Sequence, residues 1–130
     1  MGVPTGPDGR VMPRNIRFLE ERAKGGVGLI FATFGYNTKF NDCPCFRIDD
    51  FSYLPELGEM IDRIHQYGAK FCAQLVPGLS RLHFTPKQGQ VYSSSPNKAF
   101  WDPNVTCIPY TKEDIKYLVE KIGVRHPWQN

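Results

Sequence analysis

The 130-residue sequence is poor in the features that mark specialised chains. No run approaches the ~18 apolar residues of a membrane span. The first residues, with Pro4, Pro7, Asp8 and Gly9, hold no apolar core of a secretory leader. Charge of one sign is never concentrated: 16 Lys and Arg interleave with 13 Asp and Glu, for a net +3. That speaks against a nucleic-acid arm or a juxtamembrane basic patch. Cysteine is sparse, at Cys43, Cys45, Cys72 and Cys107. Cys43-Pro44-Cys45 is spaced too tightly for a zinc knuckle and no second pair follows at knuckle distance, so no metal site is expected. Without a leader the expectation is a cytoplasmic protein with free thiols. Neither a solenoid-period repeat nor a low-complexity tract is present.

Histidine is equally uninformative. His65 falls near the end of a helical pattern, where an imidazolium favours the helix dipole. His83 and His126 have no Ser, Cys or carboxylate at a motif spacing, so neither a triad nor a general acid-base pair can be assembled and no catalytic residue is assigned.

What the sequence does have is an order that occurs twice: an amphipathic helix, a glycine exit and an apolar strand. Ile16, Phe18, Leu19 and Ala23 lie among charges in a helix that begins near Pro13 and ends at Gly25-Gly26, and Val27 to Thr33 follows as a near-continuous apolar run. Such a run suits a strand buried on both faces. Leu54, Leu57, Met60, Ile61 and Ile64 then recur at helical period up to Gly68, and strand Phe71 to Val76 follows before Pro77-Gly78. This alternation predicts α/β architecture with a parallel sheet wrapped by helices. Cys72, inside the second strand, reads as a small core residue.

Two connections have no period. Gly35 to Ser52 is rich in Asn, Asp and Pro, and Ser80 to Tyr110 is punctuated by Pro86, Gly89, Pro96, Pro103 and Pro109. Cys107 in the second reads as a free surface thiol. Thr111, with Asp114 three residues on, forms a near capping box for a helix carrying Ile115, Leu118, Val119 and Ile122, which closes at Gly123. Residues 124–130 continue no pattern.

Gly25-Gly26-Val27-Gly28 is not a dinucleotide loop, because such a loop follows a strand and opens a helix, whereas these glycines do the reverse. Gln74 is the residue with chemical interest. A primary amide inside an apolar strand must be hydrogen-bonded if buried, at a cost of ~1–3 kcal/mol otherwise. Neighbouring backbone or a flat heteroaromatic ligand would serve equally.

Several runs kept in order carry a family resemblance. Asp8-Gly9-Arg10-Val11, the stretch from Arg17 through Gly25-Gly26-Val27-Gly28-Leu29-Ile30, His65-Gln66-Tyr67-Gly68-Ala69-Lys70, and Gln74-Leu75 with Gly78 and Arg81 resemble the Old Yellow Enzyme family. The closer resemblance is to its NADH:flavin oxidoreductase and 2,4-dienoyl-CoA reductase branch, where Ser95-Pro96, Phe100 to Cys107 and the Thr111-led helix are similar to the segment after the third barrel strand. The resemblance implies a (β/α)8 TIM barrel that holds FMN at the C-terminal strand ends and reduces activated C=C bonds with hydride from NAD(P)H. It implies that Gln74 matches the strand-three glutamine whose amide bonds the flavin ring. Thr33 and Phe34 would fall where the second strand approaches the flavin, and Met1 and Gly2 near the end of the first.

Departures narrow the expectation. Val76-Pro77 stands where many members carry a histidine, and the proton-donating tyrosine, the phosphate loops, and the iron-sulfur and FAD sites of longer members have no counterpart in the sequence. A closed barrel takes roughly 250 residues. Residues 1–123 are therefore expected to be the N-terminal part of such a barrel, inactive alone, with 124–130 an unrelated tail. The intact parent would take a small enone or thioester substrate. Open sheet edges predict self-association. The alternative is a non-catalytic interaction module using those edges with Phe84, Tyr92, Phe100 and Trp101.

Overall fold

The computed structural model describes residues 5–6, 8–36, 39–40, 45–82 and 90–123. They form three helices, α1 (Pro13–Lys24), α2 (Leu54–His65) and α3 (Lys112–Gly123), and five strands, β1 (Leu29–Gly35), β2 (Phe46–Arg47), β3 (Lys70–Val76), β4 (Tyr92–Ser93) and β5 (Ile108–Pro109). The chain divides into two compact units, one of residues 1–35 and 44–76, the other of 36–43 and 77–130. The described residues show mixed α/β architecture with short parallel strands and three helices, compatible with a partial strand-helix fold. None of their helices is long and apolar enough to cross a membrane. His83, Phe84, Cys43, His126 and the tail from Val124 lie outside the described residues.

In the first unit the sheet order is β2-β1-β3, all parallel. Pro13 opens α1 as expected, and Asn15 Oδ1 accepts from the Met12 N–H at 2.8 Å. At the other end Gly26 has φ +90°, its N–H bonds to Ala23 O at 3.0 Å and Val27 N–H to Arg22 O at 3.3 Å. This Schellman closure turns the chain into β1 and needs a left-handed residue, which explains the glycine. The two helices cover one face only: Ile16, Leu19 and Ala23 of α1 and Met60 and Ile64 of α2 pack on Ile30, Ala32 and Phe34 of β1 and on Phe46.

The expectation that Val27 to Thr33 is buried on both faces is therefore corrected. Burial alternates along β1, and Leu29 and Phe31 are 49% and 54% exposed, because the second face lies open among the described residues. Cys72 follows the same pattern and is only partly buried.

The Asp8-Gly9 turn packs on β2. Gly9 has φ +81°, a Cβ there would stand 2.1 Å from Arg47 Cγ, and Arg47 N–H donates to Gly9 O at 3.0 Å. Arg10 extends from this turn to the Ser52 carbonyl at 2.7 Å and to Glu56 Oε1 at 3.1 Å, which ties the entry loop to the start of α2. The Asp8 to Val11 run thus has a structural role.

In the second unit β4 pairs in parallel with β5. Val91, Ala99 and Cys107 form a small core, so Cys107 is buried at 2% exposure and is not the surface thiol expected. Phe40 sits edge-on to Tyr92, Tyr110 and Tyr117. The capping box at α3 forms reciprocally: Asp114 N–H donates to Thr111 Oγ1 at 3.1 Å, and Thr111 N–H to Asp114 Oδ2 at 3.0 Å. Lys39 Nζ bonds the same carboxylate at 2.7 Å. That lysine, followed by the Thr111 bonds, lowers the Asp114 pKa to about 2.

Candidate functional site

The residues of interest meet on the open face of the first unit. Register partners in a parallel pair share a face, and successive residues alternate between faces. Leu29, Phe31 and Thr33 of β1 therefore stand beside Lys70, Cys72 and Gln74 of β3, with Thr33 directly opposite Gln74. These two positions lie near the C-terminal ends of their strands, where ligands bind in parallel α/β folds.

Gln74 is exposed, contrary to the buried amide of the sequence reading. A glutamine amide has both donor and acceptor edges to offer. Thr33, half-buried, adds a hydroxyl at the neighbouring position. One layer below, Phe31 and the partly buried Cys72 give an apolar surface. Lys70, at the opposite end of β3, is the one cation on these strands.

Phe34 does not belong to this arrangement. It lies on the helix face at 1% exposure, its ring 5.5 Å from that of Phe46 and 5.9 Å, edge-on, from that of Phe71. Alternation along β1 forces this: Thr33 and Phe34 cannot both present side chains to one ligand. Met1 and Gly2 lie outside the described residues. Phe31, which sequence reasoning missed as a site neighbour, was available from the period-two relation to Thr33. Among the described residues no cluster of three or more His, Cys, Asp or Glu could hold a metal ion.

A shallow cleft between α1 and α2 lies elsewhere in this unit, lined by Arg17, Glu20, Glu59 and Arg63 among others. Its acids and bases pair with one another: Glu20 meets Lys24 at 3.4 Å and Arg63 at 3.8 Å, and accepts from the Tyr67 hydroxyl at 3.4 Å. This reads as helix-to-helix bracing.

Comparison with known proteins gives a consistent class. The chain is similar to a cinnamate reductase of Clostridium sporogenes, 34% identical across 93% of this chain and 20% of that protein. It is similar to an NADH oxidase of Thermoanaerobacter brockii, 37% identical across 52% of this chain and 11% of the relative. A metal reductase of Desulforamulus reducens is 30% identical across 87% of this chain and 17% of the relative. No family model matches. All three relatives are named as oxidoreductases, one of them as using NADH. They fit the resemblance of the sequence to the Old Yellow Enzyme-like NADH:flavin oxidoreductases. The chain spans about one fifth or less of the length of the curated relatives it matches.

Proposed function

We propose that this chain is the N-terminal portion of an FMN-dependent, NAD(P)H-driven ene reductase, contributing to reduction of the activated C=C bond of an enone, enoate or dienoyl thioester. The observation that carries the reading is the opposition of Thr33 and Gln74 on an open, apolar-floored face. An outward amide with donor and acceptor edges, a neighbouring hydroxyl and an aromatic surface beneath them fit the edge and plane of a flat heteroaromatic ring. A bound flavin supplies hydride transfer between NAD(P)H and the alkene. The protein's share is positional: Gln74 orients the ring edge, Thr33 adds a second polar contact, and Phe31 with Leu29 excludes water from below.

Among the described residues this face carries neither carboxylate, imidazole nor phenol, and the 130 residues alone are inactive in this reading. Nor do the described residues offer a cationic cradle for a phosphate at the ends of β1 and β3. FMN and riboflavin should therefore bind the isolated chain equally and weakly. Flavin fluorescence titration tests this. Gln74→Ala should weaken both ligands by roughly 2- to 12-fold, the worth of about 0.5–1.5 kcal/mol for a hydrogen bond. Absence of binding, or binding indifferent to Gln74→Ala, would refute the ring site, and sustained NADH-dependent enone reduction by the chain would refute inactivity. The unpaired outer edge of β3 favours a second reading, a non-catalytic module that associates with copies of itself.

A further inference from the structure

We infer that the turn Ser80–Leu82 is a recognition site for the carboxylate of an aryl acid, with Arg81 as the anchor and Phe100 and Trp101 as the aromatic surface beside it. Given the ene-reductase reading above, on which this rests, such a site narrows the substrate to an enoate. Its residues all lie in the second unit.

The turn is held in a conformation it would not adopt freely. Ser80 has φ +52°, and among the described residues it is the one non-glycine with a positive φ. A residue with a Cβ keeps that conformation only where its surroundings impose it. Ser80 Oγ donates to Oγ of the buried Ser93 at 2.8 Å. Phe100 N–H donates to Arg81 O at 2.8 Å, and the Trp101 indole N–H to Leu82 O at 3.1 Å. Leu82 N–H closes the turn on Leu79 O at 3.0 Å. Each residue of the turn is thus tied by a bond from outside it, and strain kept in so fixed a turn points to function.

What the turn carries is a cation without a counter-ion. Arg81 is exposed, and among the described residues its guanidinium makes no ion pair, hydrogen bond or ring contact. The two residues that bond the turn's carbonyls are both aromatic. Phe100 and Trp101 are 54% and 56% exposed and meet edge-to-face with centroids 4.8 Å apart. The indole N–H is already engaged, so Trp101 offers its ring.

A guanidinium binds a planar carboxylate through two parallel N–H bonds, and exposed rings receive a flat apolar group. The charge count selects a carboxylate over a phosphate, because phosphate sites gather several cations or successive backbone N–H groups. Residues 77–82 and 90–110 contain one other cation, Lys98, whose Nζ donates to Thr106 Oγ1 at 3.0 Å. They also contain one acid, Asp102, which repels a dianion more strongly than a monoanion. Of the three acceptors named above, the enoate alone presents a carboxylate.

Trp101 reports the binding. With Trp128→Phe it is the one tryptophan of the chain, and its fluorescence should be quenched by 3-phenylpropanoate, a saturated aryl acid with no C=C bond to reduce. The uncharged 3-phenylpropanamide should bind about 3- to 10-fold more weakly, the worth of an exposed charge-assisted pair. Arg81→Gln should abolish that preference, whereas Arg81→Lys, a point charge without the fork, should keep part of it. Phe100→Ala retains the backbone N–H and should weaken acid and amide alike. Far-UV circular dichroism reports the fold of each variant, and the acid-to-amide ratio with Arg81 in place decides if a variant does not fold. Absence of quenching, equal binding of acid and amide, a preference that survives Arg81→Gln, or displacement of the acid by an equal concentration of inorganic phosphate would overturn the inference. The flavin titration with Gln74→Ala involves none of these residues, so failure of the ring site and failure of the carboxylate site are read separately.

Discussion

The family resemblance places Phe34 and Gln74 at one ring site, but truncating them should have opposite consequences. Phe34 is enclosed between Phe46 and Phe71 in the core of the first unit. Cutting it to alanine forfeits about 2–3 kcal/mol of transfer free energy. It also loses two aromatic contacts of ~0.5–1.5 kcal/mol each and leaves a cavity. Partial relaxation brings the expected total to about 3–5 kcal/mol, the usual range for a buried Phe→Ala change. A unit of about 70 residues holds ~3–10 kcal/mol in all, so Phe34→Ala should leave it at the edge of unfolding. Gln74→Ala, on the exposed face, should cost under ~0.5 kcal/mol. Urea denaturation followed by circular dichroism measures both. A Phe34→Ala loss below about 1 kcal/mol, or a Gln74→Ala loss of similar size to that of Phe34→Ala, would refute the assignment of the two residues to opposite faces.

Gly9→Ala should destabilise by roughly 1–2 kcal/mol or more, since its φ of +81° strains any Cβ and Arg47 must also move, and the urea midpoint will report it. Asp114 has its pKa lowered from 3.8 to about 2, so its bonds to Lys39 and Thr111 contribute fully above pH 3.8 and are lost as the pH falls through 2. Acid titration of the melting temperature should show that limb in the native chain and lose part of it in Asp114→Asn. In a Cys43→Ser background, a thiol reagent should label Cys72 first under native conditions, with Cys45 and Cys107 reacting only on unfolding. Equal native labelling of all three thiols would contradict their burial.

The larger elements were legible in the sequence because period and punctuation agreed. Ile16, Leu19 and Ala23 and then Leu57, Met60 and Ile64 trace helical faces, and the glycine exits deliver the chain into β1 and β3. The Thr111–Asp114 box was legible from spacing alone. β2, β4 and β5 were not, because a two-residue strand has no period to read. The exposure of Phe31 and Gln74 was also hidden: an apolar run states what a strand is able to bury, and whether a second layer arrives to bury it is decided elsewhere in space. Cys107 shows the reverse. A single apolar residue in a proline-rich stretch gives no sign that Val91 and Ala99 will close around it.

The division into units has a consequence for synthesis on the ribosome. Tyr36, Lys39 and Phe40 lie between the two halves of the first unit in the chain but belong to the second. Once Val76 has emerged, β1, α2 and β3 can assemble. Phe40, meanwhile, has no sight of Tyr110 or Tyr117, which follow roughly 4–14 s after it at ~5–20 residues per second. The nascent chain must therefore carry a large aromatic side chain without these ring partners while the first unit can already fold, and that interval is when a chaperone has something to hold.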